Sequence, residues 1–174
     1  VSASTTAFDL GRVRDLTGRS WHPWGRRFVL ALMLAFVLTG LSGVFGQPQH
    51  TRVTDGPIAQ VKVRTPQALR GGLYWPAEIR VEAHRRITAP VIVLGSGFIR
   101  GMQLNSIEPA PASEASRGGR LAFTYPTMAP GDVLVVRMQL QVNPTTVGTQ
   151  DLGVRIEGAN TKPISLPATA RVLP

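Results

Sequence analysis

Three histidines, His22, His50 and His84, are the imidazoles of this 174-residue sequence, and it contains no cysteine. Three imidazoles make a zinc site when a fold converges them. Their placement works against convergence, because His22 precedes a long apolar run, His50 follows it and His84 lies beyond a strand-like segment. Asp55 or Glu82 could assist an exterior histidine, yet no metal centre is expected. Without cysteine there is no disulfide, thiolate ligand or sulfur nucleophile. His22 sits in Trp21-His22-Pro23-Trp24, where it could touch a pigment or haem of a partner, but a membrane-interface anchor demands less special geometry. No intrinsic cofactor is expected, only contact with a partner's pigment or with lipid. Met33 is a weak axial-ligand candidate that serves more simply as an adaptable apolar side chain.

Gly95-Ser96-Gly97 resembles a nucleophile or nucleotide loop only superficially. It lacks the longer Gly-x-Ser-x-Gly context, a phosphate-binding lysine and a Gly-x-Gly-x-x-Gly pattern. A bend between strands is expected there, since a serine gains no reactivity without an oriented base and a stabilised oxyanion. Glu78 and Glu82 share one face of a strand pattern, but nothing in their spacing raises a carboxyl pKa as glycoside hydrolysis requires. No catalytic residue is named, and a non-enzymatic role is expected.

The elements that would position these groups divide sharply. Residues 28 to 51 carry no Asp, Glu, Lys or Arg, with 5 basic residues before them and 14 after. Phe28 to Phe45 forms an apolar run whose helical length, about 27 Å, approaches the roughly 30 Å hydrocarbon core of a bilayer. We expect a cytoplasmic segment 1–27, a single transmembrane helix 28–46, a polar linker 47–57 and an exterior domain 58–174. A secretory signal peptide is the competitor, with a usual apolar core of about 7–15 residues and a small-residue cleavage site that is not clear here. Arg12, Arg14, Arg19, Arg26 and Arg27 precede the run, and the positive-inside rule then puts the amino terminus in the cytoplasm. Trp21, Trp24, Arg26 and Arg27 are the expected membrane-interface residues. Ala31, Ala35, Thr39 and Gly43 recur at four-residue spacing and are the expected helix-docking positions, although each step drifts by about 40° around the helix.

The carboxyl-terminal part shows period-two patterning. Val61 and Val63 alternate with Lys62 and Arg64, and Ile79, Val81 and Ala83 alternate with Glu78, Arg80 and Glu82. Val133 to Val142 is the clearest strand, opened by a Pro130-Gly131-Asp132 turn and halted by Asn143-Pro144. Segments 120–125 and 151–157 repeat the alternation. Ile87 to Met102 reads as two short strands joined by a bend, 106–119 as a long surface loop, and 164–173, with Pro167, as an edge strand. Seven or eight strands and little helix predict an antiparallel β-sandwich, with a small barrel as the alternative. The pattern around residues 120 to 157 resembles immunoglobulin-like exterior modules built without disulfides, which implies architecture and no particular activity.

The exterior part has 14 basic and 8 acidic residues, and arginine supplies 17 of the 19 basic groups in the chain. Guanidinium groups suit acidic protein partners and anionic lipid. Their dispersal, with no reading helix or aromatic platform, argues against nucleic acid. The expected role is an accessory or structural subunit of a bacterial membrane complex, such as an energy-transducing photosynthetic or respiratory assembly. Integral membrane subunits and lipids would be its partners in a hetero-oligomer. The alternative is a membrane-anchored surface module that binds a protein or carbohydrate, followed by a lipid or pigment chaperone.

Overall fold

The computed structural model describes residues 21–42, 49–159 and 162–173. The chain divides into two compact units, 1–46 and 47–174. In the first unit, α1 (Trp21–Leu41) starts seven residues upstream of the expected span. Pro23 lies in its first turn, where a missing N–H costs no intrahelical bond. Its 21 residues extend about 31 Å, and the stretch Pro23–Leu41 is long and apolar enough to cross a membrane. The expected residues 43–46 of the span lie outside the described residues, as does the segment 1–20.

The second unit is mostly β-sheet. Its strands are β1 (Gln49–Asp55), β2 (Ala59–Pro66), β3 (Ala68–Arg70), β4 (Tyr74–Ala83), β5 (Val91–Leu94), β6 (Met102–Glu108) and β7 (Ser113–Ser116). They continue with β8 (Leu121–Thr124), β9 (Val133–Val142), β10 (Gly148–Asp151), β11 (Val154–Glu157), β12 (Ile164–Leu166) and β13 (Thr169–Leu173). A single helical turn, α2 (Gly97–Arg100), joins β5 to β6. Among the described residues the strands form three sheets, ordered β1-β2-β4-β9-β6, β12-β11-β5-β8-β7 and β10-β13-β3. All pairings are antiparallel except β13 with β3.

Period-two alternation is realised where it was strongest. β9 spans Val133–Val142 and buries Val136, Met138, Leu140 and Val142. β4 buries Trp75, Ala77, Ile79, Val81 and Ala83 on one face. The turn before β9 runs from Ala129 to Asp132, with Gly131 at φ +88°, the left-handed value that a type II turn requires at its third position. Asp132 Oδ2 accepts from the Ala129 N–H at 2.7 Å, closing the turn with a side-chain bond.

Several expectations change. Residues 49–55, read as linker, form β1, paired along its whole length with β2. The β-branched Thr51, Val53 and Thr54 give that segment strand character despite its polarity. The segment 106–119 is not one long loop, because it holds the end of β6 and all of β7. The expected single strand 164–173 is two strands in different sheets. Pro167, which has no N–H to donate, and Ala168 form the transfer point between β12 and β13. β12 is an edge strand, while β13 is the middle of the small sheet. Likewise 151–157 splits into the end of β10 and β11, with Leu152 and Gly153 between them.

Side chains from all three sheets meet in one core. It includes Val61, Ile79 and Leu140 from the first sheet, Ile92, Phe123 and Ile156 from the second, and Leu69, Ala170 and Val172 from the third. Tyr125 lies against this core just after β8, and its hydroxyl donates to the Pro109 carbonyl at 3.4 Å. Burial, aided by the Glu114 carboxylate, pushes the phenol pKa up to about 12. The unfolded chain then releases this proton before the folded one does. The Tyr125 contribution is complete below about pH 10 and falls away as pH rises towards 12. Alkaline unfolding should therefore be shallower over that window in Tyr125→Phe than in the parent, a difference readable in denaturant titrations at pH 9 to 12; equal slopes would refute it.

Candidate functional site

Strand register assembles a site on the outward face of the first sheet. Arg64 on β2 stands opposite Glu78 on β4. Glu78 stands opposite Arg137 on β9, and Arg137 opposite Glu108 on β6. Four strands thus carry a transverse row of alternating charge, Arg64, Glu78, Arg137 and Glu108. Neighbouring strands are about 4.8 Å apart, so each charge has an opposite charge beside it. The Arg137 Nε donates to Glu78 Oε2 at 3.4 Å. Such exposed pairs contribute only about 0.2–1 kcal/mol each, so the row adds little to stability. A groove of about 360 Å³ lies along it, and Ser106 and Gln139 also line it.

A second groove, of about 320 Å³, lies where β10, β11 and the Pro167 corner meet. Arg120 and Asp151 face each other across it at 3.6 Å. Beside it, Glu157 holds two guanidinium groups, Arg155 at 3.0 Å and Arg117 at 3.1 Å. In these arrangements Glu78, Asp151 and Glu157 each have an arginine ion-pair partner.

Within the β domain, His50 and His84 lie apart. His50 lies in β1, and His84 follows β4, where its Nε2 is 2.8 Å from Asp55 Oδ1. Among the described residues no group of three or more His, Cys, Asp or Glu could hold a metal ion. The side chains of Trp21 and His22 lie outside the described residues.

Gly95-Ser96-Gly97 turns from β5 into α2, of which Gly97 is the first residue, and its glycines answer to packing. A Cβ on Gly95 would stand 2.5 Å from the Asp151 carbonyl oxygen, and one on Gly97 2.6 Å from the same atom. The obstacle is backbone, which cannot rotate aside as a side chain can. Gly97→Ala is expected to destabilise the β domain by about 1–3 kcal/mol through overpacking. Its thermal unfolding midpoint should fall by several degrees, and an unchanged midpoint would show that β10 yields without cost.

On α1, the Arg27 guanidinium lies over the Trp24 ring at 6.0 Å, so two of the expected interface residues meet in a cation–π contact. Arg26 and Arg27 are within the helix rather than ahead of it. Ala31, Ala35 and Thr39 lie along α1 with exposed side chains, whereas Gly43 is outside the described residues. The Thr39 hydroxyl donates to the Ala35 carbonyl at 2.7 Å, so it already has a partner within the helix.

The charge row was only partly visible in the sequence. Arg64, Glu78 and Arg137 stood out as polar members of their strands, but Glu108 fell in an expected loop, and only cross-strand register brings the four together. A period-two pattern tells which side a residue faces, not what stands beside it.

No protein-family model matches the chain. No curated protein matches it. Among the solved structures similar to the chain are the following three. AvmM, which catalyses macrocyclization in alchivemycin A biosynthesis, is 6% identical, with a TM-score of 0.45, covering 72% of this chain and 96% of its own. A non-cellulosomal cohesin from the hyperthermophilic archaeon Archaeoglobus fulgidus is 10% identical, with a TM-score of 0.38, covering 71% and 91%. The GAE domain of GGA2p from Saccharomyces cerevisiae is 11% identical, with a TM-score of 0.33, covering 73% and 98%. Likeness at this level transfers neither activity nor ligand.

Proposed function

We propose that this chain is a non-catalytic, membrane-anchored interaction module whose β domain binds a protein partner through the outward face of its first sheet. The observation that carries the reading is the row Arg64, Glu78, Arg137 and Glu108, which presents forked donors and carboxylate acceptors in alternation along one groove. Such a face matches the mixed charge of a protein surface and fixes its register. The groove has no aromatic side chain on which a sugar ring would stack, so a protein suits it better than a carbohydrate. In this reading the domain is an immunoglobulin-like sandwich whose facing layers are the two five-stranded sheets, supported by their contribution to one core. The anchor is α1, and the arginine excess before it supports an exterior placement of the β domain. Anchoring holds the binding face at a membrane surface and raises its effective concentration towards partners there.

The test is recovery of the full chain, in mild detergent, from its own membrane. A protein should accompany it in fixed stoichiometry, and Arg64→Glu combined with Arg137→Glu should weaken that association at least about tenfold while thermal unfolding stays unchanged. Association indifferent to both charge reversals would remove this face from the interface. A chain recovered alone would overturn the reading.

A further inference from the structure

A different surface gathers at one end of the β domain. Four segments converge there: the β3–β4 turn, α2 with the start of β6, the β9–β10 connection and the end of β13. Gly72 N–H donates to Val142 O, Asn143 N–H to Gly101 O, and the register sets Leu173 beside Arg70 and Val172 beside Gly148. These segments leave large apolar side chains in solvent. Tyr74 is 62% and Val147 60% exposed, and Leu73, Ile99 and Leu173 are exposed as well. Soluble surfaces seldom group so many without a use.

The charge at this end is one-sided. Arg70, Arg100 and Arg171 are exposed, and segments 70–74, 98–101, 142–148 and 171–173 contain no Asp or Glu. This contrasts with the rest of the domain, where arginines of both grooves sit beside carboxylates. Gln49, the first described residue of the domain, belongs to the same end, since it pairs with Pro66 at the close of β2. In the sequence only residues 43–48 separate it from Ser42, a tether that cannot exceed about 25 Å when fully extended.

We infer that this end of the β domain docks on an anionic phospholipid surface, with Tyr74, Leu73, Ile99 and Val147 entering the interfacial layer and the three arginines meeting lipid phosphates. Tyrosine favours that depth because its ring is apolar and its hydroxyl stays wet. Guanidinium groups pair bidentately with phosphate, and each cation near an anionic bilayer contributes about fivefold in occupancy. A protein partner would be expected to meet a charge pattern with both signs, as on the first sheet, whereas lipid phosphates present one sign. The inference rests on the anchoring half of the reading above and is independent of the partner bound by the charge row.

The chain has no cysteine, so a single Val147→Cys substitution accepts one nitroxide label, with Ala129→Cys at the opposite end as the control. The full-length protein would be reconstituted in vesicles of phosphatidylcholine mixed with phosphatidylglycerol, and in phosphatidylcholine alone. Collision with dissolved oxygen and with a water-soluble nickel complex then reports depth, and vesicle flotation reports anchoring. In the mixed vesicles the Val147 label should gain oxygen collisions and lose nickel collisions relative to Ala129. Adding Arg70→Glu and Arg100→Glu should reduce the ratio of docked to undocked domain at least about twenty-fivefold. A Val147 label as aqueous as the control, in protein that floats, overturns the inference and leaves the anchor standing. Shielding indifferent to lipid charge and to both arginine reversals overturns it too. Shielding that appears only at high protein-to-lipid ratio, with spin–spin broadening, overturns it in favour of a second copy. Failure to float removes the anchor and the inference together.

Discussion

Replacing Trp75 by alanine is expected to lower the unfolding free energy of the β domain by about 3–5 kcal/mol, the usual cost of emptying a buried aromatic site. Trp75 is completely buried and is the largest such side chain in the core. It lies on β4, the strand between β2 and β9, and its ring packs against Phe98 of α2 at 6.2 Å between centroids. The site cannot collapse easily, because β4 is held on both sides by long antiparallel ladders. A domain of this size has about 5–15 kcal/mol in total, so the variant would sit near the limit of folding. Among the described residues Trp75 Nε1 has no hydrogen-bond partner, and a buried, unpaired donor is itself a cost. Trp75→Phe should therefore be milder, since it removes that donor while keeping most of the packing. Urea unfolding of the full chain, followed by strand circular dichroism, measures both. A loss below about 1 kcal/mol for the alanine variant would show that the neighbouring side chains refill the space.

Placing arginine at both Leu34 and Leu38 should abolish stable membrane integration. The two positions are four residues apart on α1 and are exposed, as the rest of the apolar segment is. A charge at the centre of a spanning helix costs about 2.5–3.5 kcal/mol on the insertion scale, so two would cost about 5–7 kcal/mol. Such a penalty exceeds what a 19-residue span of this composition can readily offset. The variant should be extracted by alkaline carbonate under conditions in which the parent stays with the membrane. Retention of the double variant would disqualify α1 as the anchor. Folding of the β domain should be unaffected, because α1 belongs to the other compact unit.

Much of the architecture was legible because hydrophobic periodicity is a local property. The 10-residue alternation of β9 and the apolar run of α1 declare themselves whatever lies elsewhere in the chain. β1 was hidden by its exposure pattern, which is polar almost throughout, and its strand state comes from pairing with β2 rather than from burying its own face. β7, Ser-Glu-Ala-Ser, is exposed at every position and owes its form to β8 in the same way. Gly95 and Gly97 look like chemistry in one dimension. In three dimensions they are the room that the Asp151 backbone needs.

The sequence by itself determined the division into an apolar helix and a strand-rich domain, the absence of cysteine chemistry, and which face of β2, β4 and β9 turns inward. Those follow from composition and from the fixed periods of helix and strand. Tertiary structure alone decided the distribution of strands over three sheets, the change of sheet at Pro167, the charge row across β2, β4, β9 and β6, and the meeting of Tyr74, Ile99 and Val147 at one end. Each of these depends on which strands become neighbours and in what register, and that choice is made by packing between segments far apart in the chain.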